Sequence, residues 1–279
     1  MYVTNASGIV QAYTINATTG ALTSVGTTAT GSSPYGVACD PTGKFVYVAN
    51  ISSNTVSAYT INASTGALTS VGTAATGNGP YGIACDPTGK FVYVVNVFDN
   101  TVQAYTINGI TGALTSVGAV ATGTLPYGVA CDPTGKFVYV TNAYNGAGGN
   151  TVQAYTINAI TGALTSVGTV ATGLNPYGVA CDPTGKFVYV TNYQSNNIYL
   201  YYTNIVYYQA SQSKVFNLPV ITQNNRVGFR NFNFDALSTY RPISPPISGA
   251  IKTIANATIR PYTFITKLYY WLETKSFWG

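Results

Sequence analysis

Pro126-Tyr-Gly-Val-Ala-Cys-Asp-Pro-Thr-Gly-Lys-Phe-Val-Tyr-Val-Thr-Asn142 decides how this chain folds. Its two apolar arms flank Asp132-Pro-Thr-Gly-Lys136. Pro pre-sets φ for a turn and Gly accepts a positive φ, so the stretch reads as strand, tight turn, strand. Near-identical copies occupy residues 34–50, 80–96 and 176–192. The Tyr-Val-x-Asn inside each copy begins at Tyr47, Tyr93, Tyr139 and Tyr189, and one more begins at Tyr2. The steps between them are 45, 46, 46 and 50 residues. A repeat of this length signals a solenoid or a propeller.

Within the third full unit the sequence predicts four strands: 127–132 (a), 137–142 (b), 151–158 (c) and 164–172 (d). Four short strands in about 45 residues match one blade of a β-propeller. In strand b, Phe137, Tyr139 and Thr141 face one way and Val138, Val140 and Asn142 the other. Both faces are largely apolar, as a blade sandwiched between neighbours requires. The expected fold is all-β, a propeller of four-stranded antiparallel blades. Residues 1–204 hold about 4.4 repeats, an incomplete ring in which strand a of the first blade and strand d of the fifth are missing. After residue 204 the period vanishes, and 205–279 form a basic, aromatic-rich tail of unassigned fold, with 206–209 and the stretch from Tyr262 onward as candidate strands.

Composition narrows the function. Charged residues make up only 7 % of the chain and apolar ones 46 %. The net charge of +5 is uneven: residues 1–204 carry four Lys and five Asp, whereas 205–279 carry eight Lys or Arg against Asp235 and Glu273. The tail's basic residues are scattered singly, without the clustered face that nucleic-acid recognition needs, so no nucleic acid is expected as a partner. No apolar run reaches the roughly 18 residues of a spanning helix. No leader peptide is visible, and the chain opens inside the repeat, which suggests an N-terminal truncation. No compartment can be named.

The chain has no His, and Cys39, Cys85, Cys131 and Cys181 hold one equivalent place per repeat. They are expected to be reduced, buried and too far apart for disulfides, whose Cα atoms must lie within about 7 Å. Neither a metal site nor a cofactor is expected.

The motifs Pro-Tyr-Gly-Val-Ala, Asp-Pro-Thr-Gly-Lys-Phe-Val-Tyr-Val-x-Asn, Asn-Thr-Val-x-Ala-Tyr-Thr-Ile and Thr-Gly-Ala-Leu-Thr resemble the YVTN repeat and the lactonase-type seven-bladed propeller family. That resemblance covers about residues 1–204. It implies radial blades with strand a lining a central channel, and an activity on 6-phosphogluconolactone or related lactones in some members. Family enzymes tend to carry His or Arg near the start of strand a. Here those places hold Tyr35 and Gly36, and their copies Tyr81, Gly82, Tyr127, Gly128, Tyr177 and Gly178.

Lactone hydrolysis needs a base to activate water or a metal to polarise the carbonyl. The repeats offer Asp99 and the turn aspartates Asp40, Asp86, Asp132 and Asp182, which read first as turn-capping residues. Variation between the repeats collects in the b–c loops (6–8, 51–54, 97–100, 143–150) and the d–a loops (32–33, 78–79, 124–125, 174–175). Strand alternation puts both sets on one face, where repeat proteins commonly bind. The candidate ligand-binding residues are therefore Tyr35, Tyr81, Tyr127 and Tyr177, with Asn54, Asn100 and Asn150. The tyrosines either stack on a ligand such as a sugar or pack between blades. The leading expectation is a binding or scaffold module for a protein or carbohydrate, and the alternative is a lactonase-like hydrolase or a fragment of one. An open arc also implies self-association through its end blades, which would expose Tyr2 and Val3 at one end and Val188, Tyr189 and Val190 at the other.

Overall fold

The computed structural model describes residues 1–143, 149–202, 220–223 and 226–229, the last two segments and Tyr202 by backbone alone. All fall within one compact unit, Met1–Arg230. The tail candidates 206–209 and Tyr262 onward lie outside the described residues.

No helix occurs among the described residues; the elements are twenty strands. The first sheet holds β1 (Tyr2–Asn5), β2 (Ile9–Ile15) and β3 (Leu22–Ala29). The second holds β4 (Pro34–Cys39), β5 (Phe45–Asn50), β6 (Thr55–Ile61) and β7 (Leu68–Ala75), and the third β8 (Pro80–Cys85), β9 (Phe91–Asn96), β10 (Thr101–Ile107) and β11 (Leu114–Ala121). The fourth holds β12 (Pro126–Cys131), β13 (Phe137–Asn142), β14 (Thr151–Ile157) and β15 (Leu164–Ala171). The fifth runs β16 (Pro176–Cys181), β17 (Phe187–Asn192), β18 (Asn197–Tyr202), β19 (Val220–Gln223) and β20 (Arg226–Phe229). In every sheet the strands are adjacent in chain order and antiparallel. These are propeller blades, and strand boundaries agree with the predicted ones to within a residue or so.

Two expectations about the ends need correction. The first sheet does lack an innermost strand, but the fourth place of the fifth sheet is not empty. β19, from beyond the last repeat, pairs with β18 through Tyr199↔Ile221 and Leu200↔Val220. Nor are Val188 and Val190 exposed. They are buried against the fourth blade with Val152 and Tyr139, while Tyr189 faces outward. Period-2 alternation assigns opposite faces to neighbouring residues, so a strand cannot present all three at once.

The same alternation builds the core. In β9, Phe91, Tyr93 and Val95 pack on Val138 and Val140 of the next blade, while Val92 and Val94 pack on Phe45, Tyr47 and Ala49 of the preceding one. Each fully buried aliphatic side chain contributes about 1.5–3 kcal/mol. A buried tyrosine must also place its hydroxyl. Tyr47 Oη donates to Gly112 O at 3.0 Å and Tyr93 Oη to Gly162 O at 3.0 Å, each reaching the c–d turn of the following blade. Tyr2 does the same to Gly66 O at 2.9 Å, so the first blade docks as the others do.

The a–b turns are fixed by their aspartates. Asp132 Oδ1 accepts from Lys136 N at 2.8 Å and Phe137 N at 2.7 Å, and Oδ2 from Thr134 N at 3.1 Å and the Thr134 hydroxyl. Asp40, Asp86 and Asp182 repeat the pattern.

Candidate functional site

Strand a is short and innermost, and successive inner strands lie against one another. That closeness explains the glycine in Pro-Tyr-Gly. A Cβ at Gly36, Gly82 or Gly128 would fall under 3.0 Å from the carbonyl oxygen of Tyr81, Tyr127 or Tyr177 in the next blade. No side chain fits there.

With the strands this close, the neighbouring tyrosines meet. Tyr35 and Tyr81 have ring centroids 3.7 Å apart. Tyr127 and Tyr177 stack at 4.3 Å with an interplanar angle of 15°. Tyr81 joins the two pairs edge-on, 4.9 Å from Tyr127, and lies 6.4 Å from Tyr177. Tyr193, from a b–c loop, adds a fifth ring 5.9 Å from Tyr177. The tyrosines therefore do not stand apart as separate binding posts: they meet across neighbouring blades, and Tyr81 also packs against the core shared by the third and fourth blades. They converge on one another at the channel mouth. Burial first, and then a hydrogen bond to the Tyr35 side chain, pushes the Tyr81 hydroxyl well above its ordinary range. Tyr177 is raised by burial and by a hydrogen bond to Tyr127. The cluster still presents surface, since Tyr35 and Tyr177 are exposed and Phe98, Leu174 and Tyr193 stand exposed on the neighbouring loops.

Asn54, Asn100 and Asn150 lie beside this mouth, and their carbonyl oxygens are committed. Each has φ near +53° and accepts from the d–a loop that leads to the next blade: Gly79 N at 3.0 Å, Leu125 N at 2.8 Å and Asn175 N at 2.9 Å. Asn tolerates the left-handed region better than other side chains do. These three residues latch loop to loop. Asp99 is held similarly, its Oδ2 accepting from Asn78 N at 2.7 Å. All five aspartates of the repeats are thus bound to backbone donors. Among the described residues no group of His, Cys, Asp or Glu has the arrangement of a metal site.

The far end of the inner strands holds the cysteines, and here the expectation of burial is overturned. Cys39 is exposed and Cys85, Cys131 and Cys181 are half-buried. With Pro41, Pro87, Pro133 and Pro183 they line one cavity of about 220 Å3. They are free thiols, as expected, but equivalent positions on innermost strands are brought together at the axis instead of being held a whole blade apart. Burial raises all four thiols above their usual pKa, Cys181 to about 12. The sequence reading did not find this cavity. Its available signal was the shared position of the cysteines, two residues before each turn proline.

The five sheets define a β-propeller whose inner strands bring the four tyrosines together. The family model "Lactonase, 7-bladed beta-propeller" matches residues 2–81 and 71–206, and the chain belongs to that family. Among solved structures it is similar to a Bacteroides uniformis protein provisionally named 6-phosphogluconolactonase (19% identity, TM-score 0.64, 82% of this chain and 73% of that one). A Bacteroides fragilis protein with the same provisional name matches at 23% identity and TM-score 0.60, over 70% of this chain and 60% of that one. A Lactobacillus plantarum protein matches at 25% identity and TM-score 0.65, over 73% and 64%. The chain thus spans 60% to 73% of the length of these relatives. No curated protein sequence matches it.

Proposed function

We propose that these blades form the recognition part of a lactonase-type propeller, and that the tyrosine mouth binds a neutral sugar lactone or the matching sugar acid. The observation that carries this reading is the convergence of Tyr35, Tyr81, Tyr127 and Tyr177, from four different blades, beside exposed Phe98 and Tyr193. Aromatic faces suit the C–H faces of a sugar ring, and phenol hydroxyls suit its oxygens. Among the described side chains, charge favours a ligand without phosphate. Lys44, Lys90, Lys136 and Lys186 all sit on a–b turns, at the opposite end of the inner strands from the tyrosines.

Titration of the full chain with a slowly hydrolysing neutral sugar lactone, read by saturation-transfer NMR and calorimetry, tests the proposal. Binding should weaken about 3- to 10-fold in Tyr81→Ala, the worth of one aromatic contact. Tighter binding of 6-phosphogluconate than of gluconate, or no effect of Tyr81→Ala, would refute it.

The second reading is lactone hydrolysis. Family membership favours it more directly than it favours binding alone, and the provisional names of the two Bacteroides neighbours agree. Against it stands the use of every repeat aspartate as a backbone acceptor. We expect no turnover of 6-phosphogluconolactone by this chain above background. Turnover that disappears in Asp132→Asn, in a variant that still folds, would favour hydrolysis.

A further inference from the structure

Within the blades a buried tyrosine sends its hydroxyl to the backbone. Tyr47, Tyr59, Tyr93 and Tyr105 each donate to a carbonyl oxygen of an adjacent blade. At the mouth the hydroxyls pair with one another. Tyr35 and Tyr81 share a side-chain hydrogen bond, and so do Tyr127 and Tyr177. In each pair the rings also lie face toward face, at 3.7 Å and 32° in the first and 4.3 Å and 15° in the second. The contact between the pairs is different: Tyr81 meets Tyr127 edge-on, at 4.9 Å and 80°.

Paired hydroxyls on facing rings are the geometry of phenol coupling. A tyrosine that loses one electron and its hydroxyl proton becomes a phenoxyl radical, with much of its spin on the two ring carbons beside the oxygen, Cε1 and Cε2. Two such radicals join through those carbons, so the two oxygens of the product flank the new bond. A hydrogen bond between the hydroxyls of facing rings brings the same carbons together beforehand. The centroid separations put ring carbons at van der Waals contact, about 3.5–4.0 Å. Preassembly of this kind turns an encounter of two short-lived radicals into a step within one chain. Each pair also offers one ring to an oxidant in solution, since Tyr35 is 52% exposed and Tyr177 39%.

We propose that Tyr35–Tyr81 and Tyr127–Tyr177 are sites of oxidative cross-linking, each pair joined carbon to carbon as dityrosine by hydrogen peroxide acting through a one-electron oxidant of the haem peroxidase class. For each pair, one peroxide molecule takes one electron and one proton from each of the two hydroxyls and leaves as two waters. The radicals couple, and each joined carbon gives up its hydrogen as a proton while the oxygen of its own ring takes one back, which restores both phenols. Each link ties the inner strands of adjacent blades, β4 to β8 and β12 to β16. The chemistry does not depend on what the mouth binds.

The test treats the dilute full chain with a plant haem peroxidase and hydrogen peroxide, follows the blue fluorescence of dityrosine, and digests the monomer with trypsin. Cleavage after Lys44, Lys90, Lys136 and Lys186 puts the four mouth tyrosines on four different peptides. Mass spectrometry should find peptide 1–44 linked to 45–90 and peptide 91–136 linked to 137–186, each pair lighter by two hydrogen atoms, with fragmentation placing the bonds at the named tyrosines. Tyr35→Phe keeps the ring but cannot form a phenoxyl radical, so it should abolish the first link and leave the second; Tyr177→Phe should do the converse. In urea both links should fall at least about tenfold, because the preassembly is gone. The cysteines lie at the opposite end of the inner strands, so their oxidation leaves the assignment untouched. Absence of dityrosine from the native monomer, links formed only between chains, a dominant link between Tyr81 and Tyr127, or equal yields in buffer and in urea would overturn the proposal.

Discussion

Replacing Gly82 by Ala adds one methyl group where two inner strands approach each other closely. The new Cβ would lie under 3.0 Å from Tyr127 O and 3.3 Å from both Val129 N and Val95 Cγ2. The obstacle is backbone of a paired strand, so it cannot rotate aside; β8 and β12 must separate. Overpacking of this kind costs about 1–3 kcal/mol, and a backbone obstacle places this site in the upper half of that range. Losing glycine's freedom in the unfolded chain returns about 0.4–1 kcal/mol. The net loss is then about 1–2.5 kcal/mol, or a Tm lower by roughly 5 °C for a domain of this size. Two controls make the number diagnostic. Gly178 occupies the same place in the fifth blade, but its Cβ would meet only Thr191 Oγ1 at 2.8 Å, a side-chain atom that can turn away. Gly109 meets nothing within 4 Å, and the other repeats carry Ala17, Ala63 and Ala159 at this position. Urea denaturation followed by circular dichroism should rank Gly109→Ala at or above the parent, Gly178→Ala below it and Gly82→Ala lowest. Near-ultraviolet dichroism should also report loosening of the Tyr81–Tyr127 contact in Gly82→Ala alone. A Gly82→Ala variant as stable as Gly109→Ala would refute the account of the inner strands.

Leu125 sits at φ +52°, where Asn175 and Gly79 hold the matching place, so Leu125→Asn should stabilise by about 1 kcal/mol in the same denaturation assay. A thiol reagent at neutral pH should label Cys39 first and Cys85 and Cys131 slowly, with all four reacting in urea; mass spectrometry of the labelled peptides identifies the order. Burial raises the hydroxyls of Tyr47, Tyr93, Tyr139, Tyr155 and Tyr201 far above 10, and that of Tyr105 to about 12. A raised acid binds its proton more tightly in the folded state, so this contribution is intact below the unfolded value near 10 and is lost as pH climbs toward the folded values. Absorbance at 295 nm should therefore show these tyrosines ionising together with alkaline unfolding, and an independent titration near pH 10 would contradict their burial.

The strands were legible because each carries its own signal. Alternation of Phe, Val and Tyr marks strand b, and Asp-Pro-Thr-Gly marks the turn before it. Whether Tyr35 and its copies stood apart or together was not legible. That depends on how near the inner strands come to one another, which is set by a missing Cβ at Gly36, Gly82 and Gly128 and has no periodic signature. The cysteines failed for a related reason. A repeat shows that four residues are equivalent, but not at what radius they sit, and near the axis equivalence brings copies together. The sequence placed the three asparagines on the variable face, but it gave no sign that their side-chain carbonyl oxygens serve the loops.

The asparagine latch has a consequence for how this face can change. The loop ending at Asn150 is four residues longer than the one ending at Asn100, yet both asparagines hold φ +53° and both grip the following d–a loop within 3 Å. Loop length is thereby uncoupled from blade spacing. The number of residues between the end of strand b and the latch can change while the strand after it starts from a fixed point. The mouth can acquire new contours by insertion, one blade at a time, without any adjustment of the ring beneath.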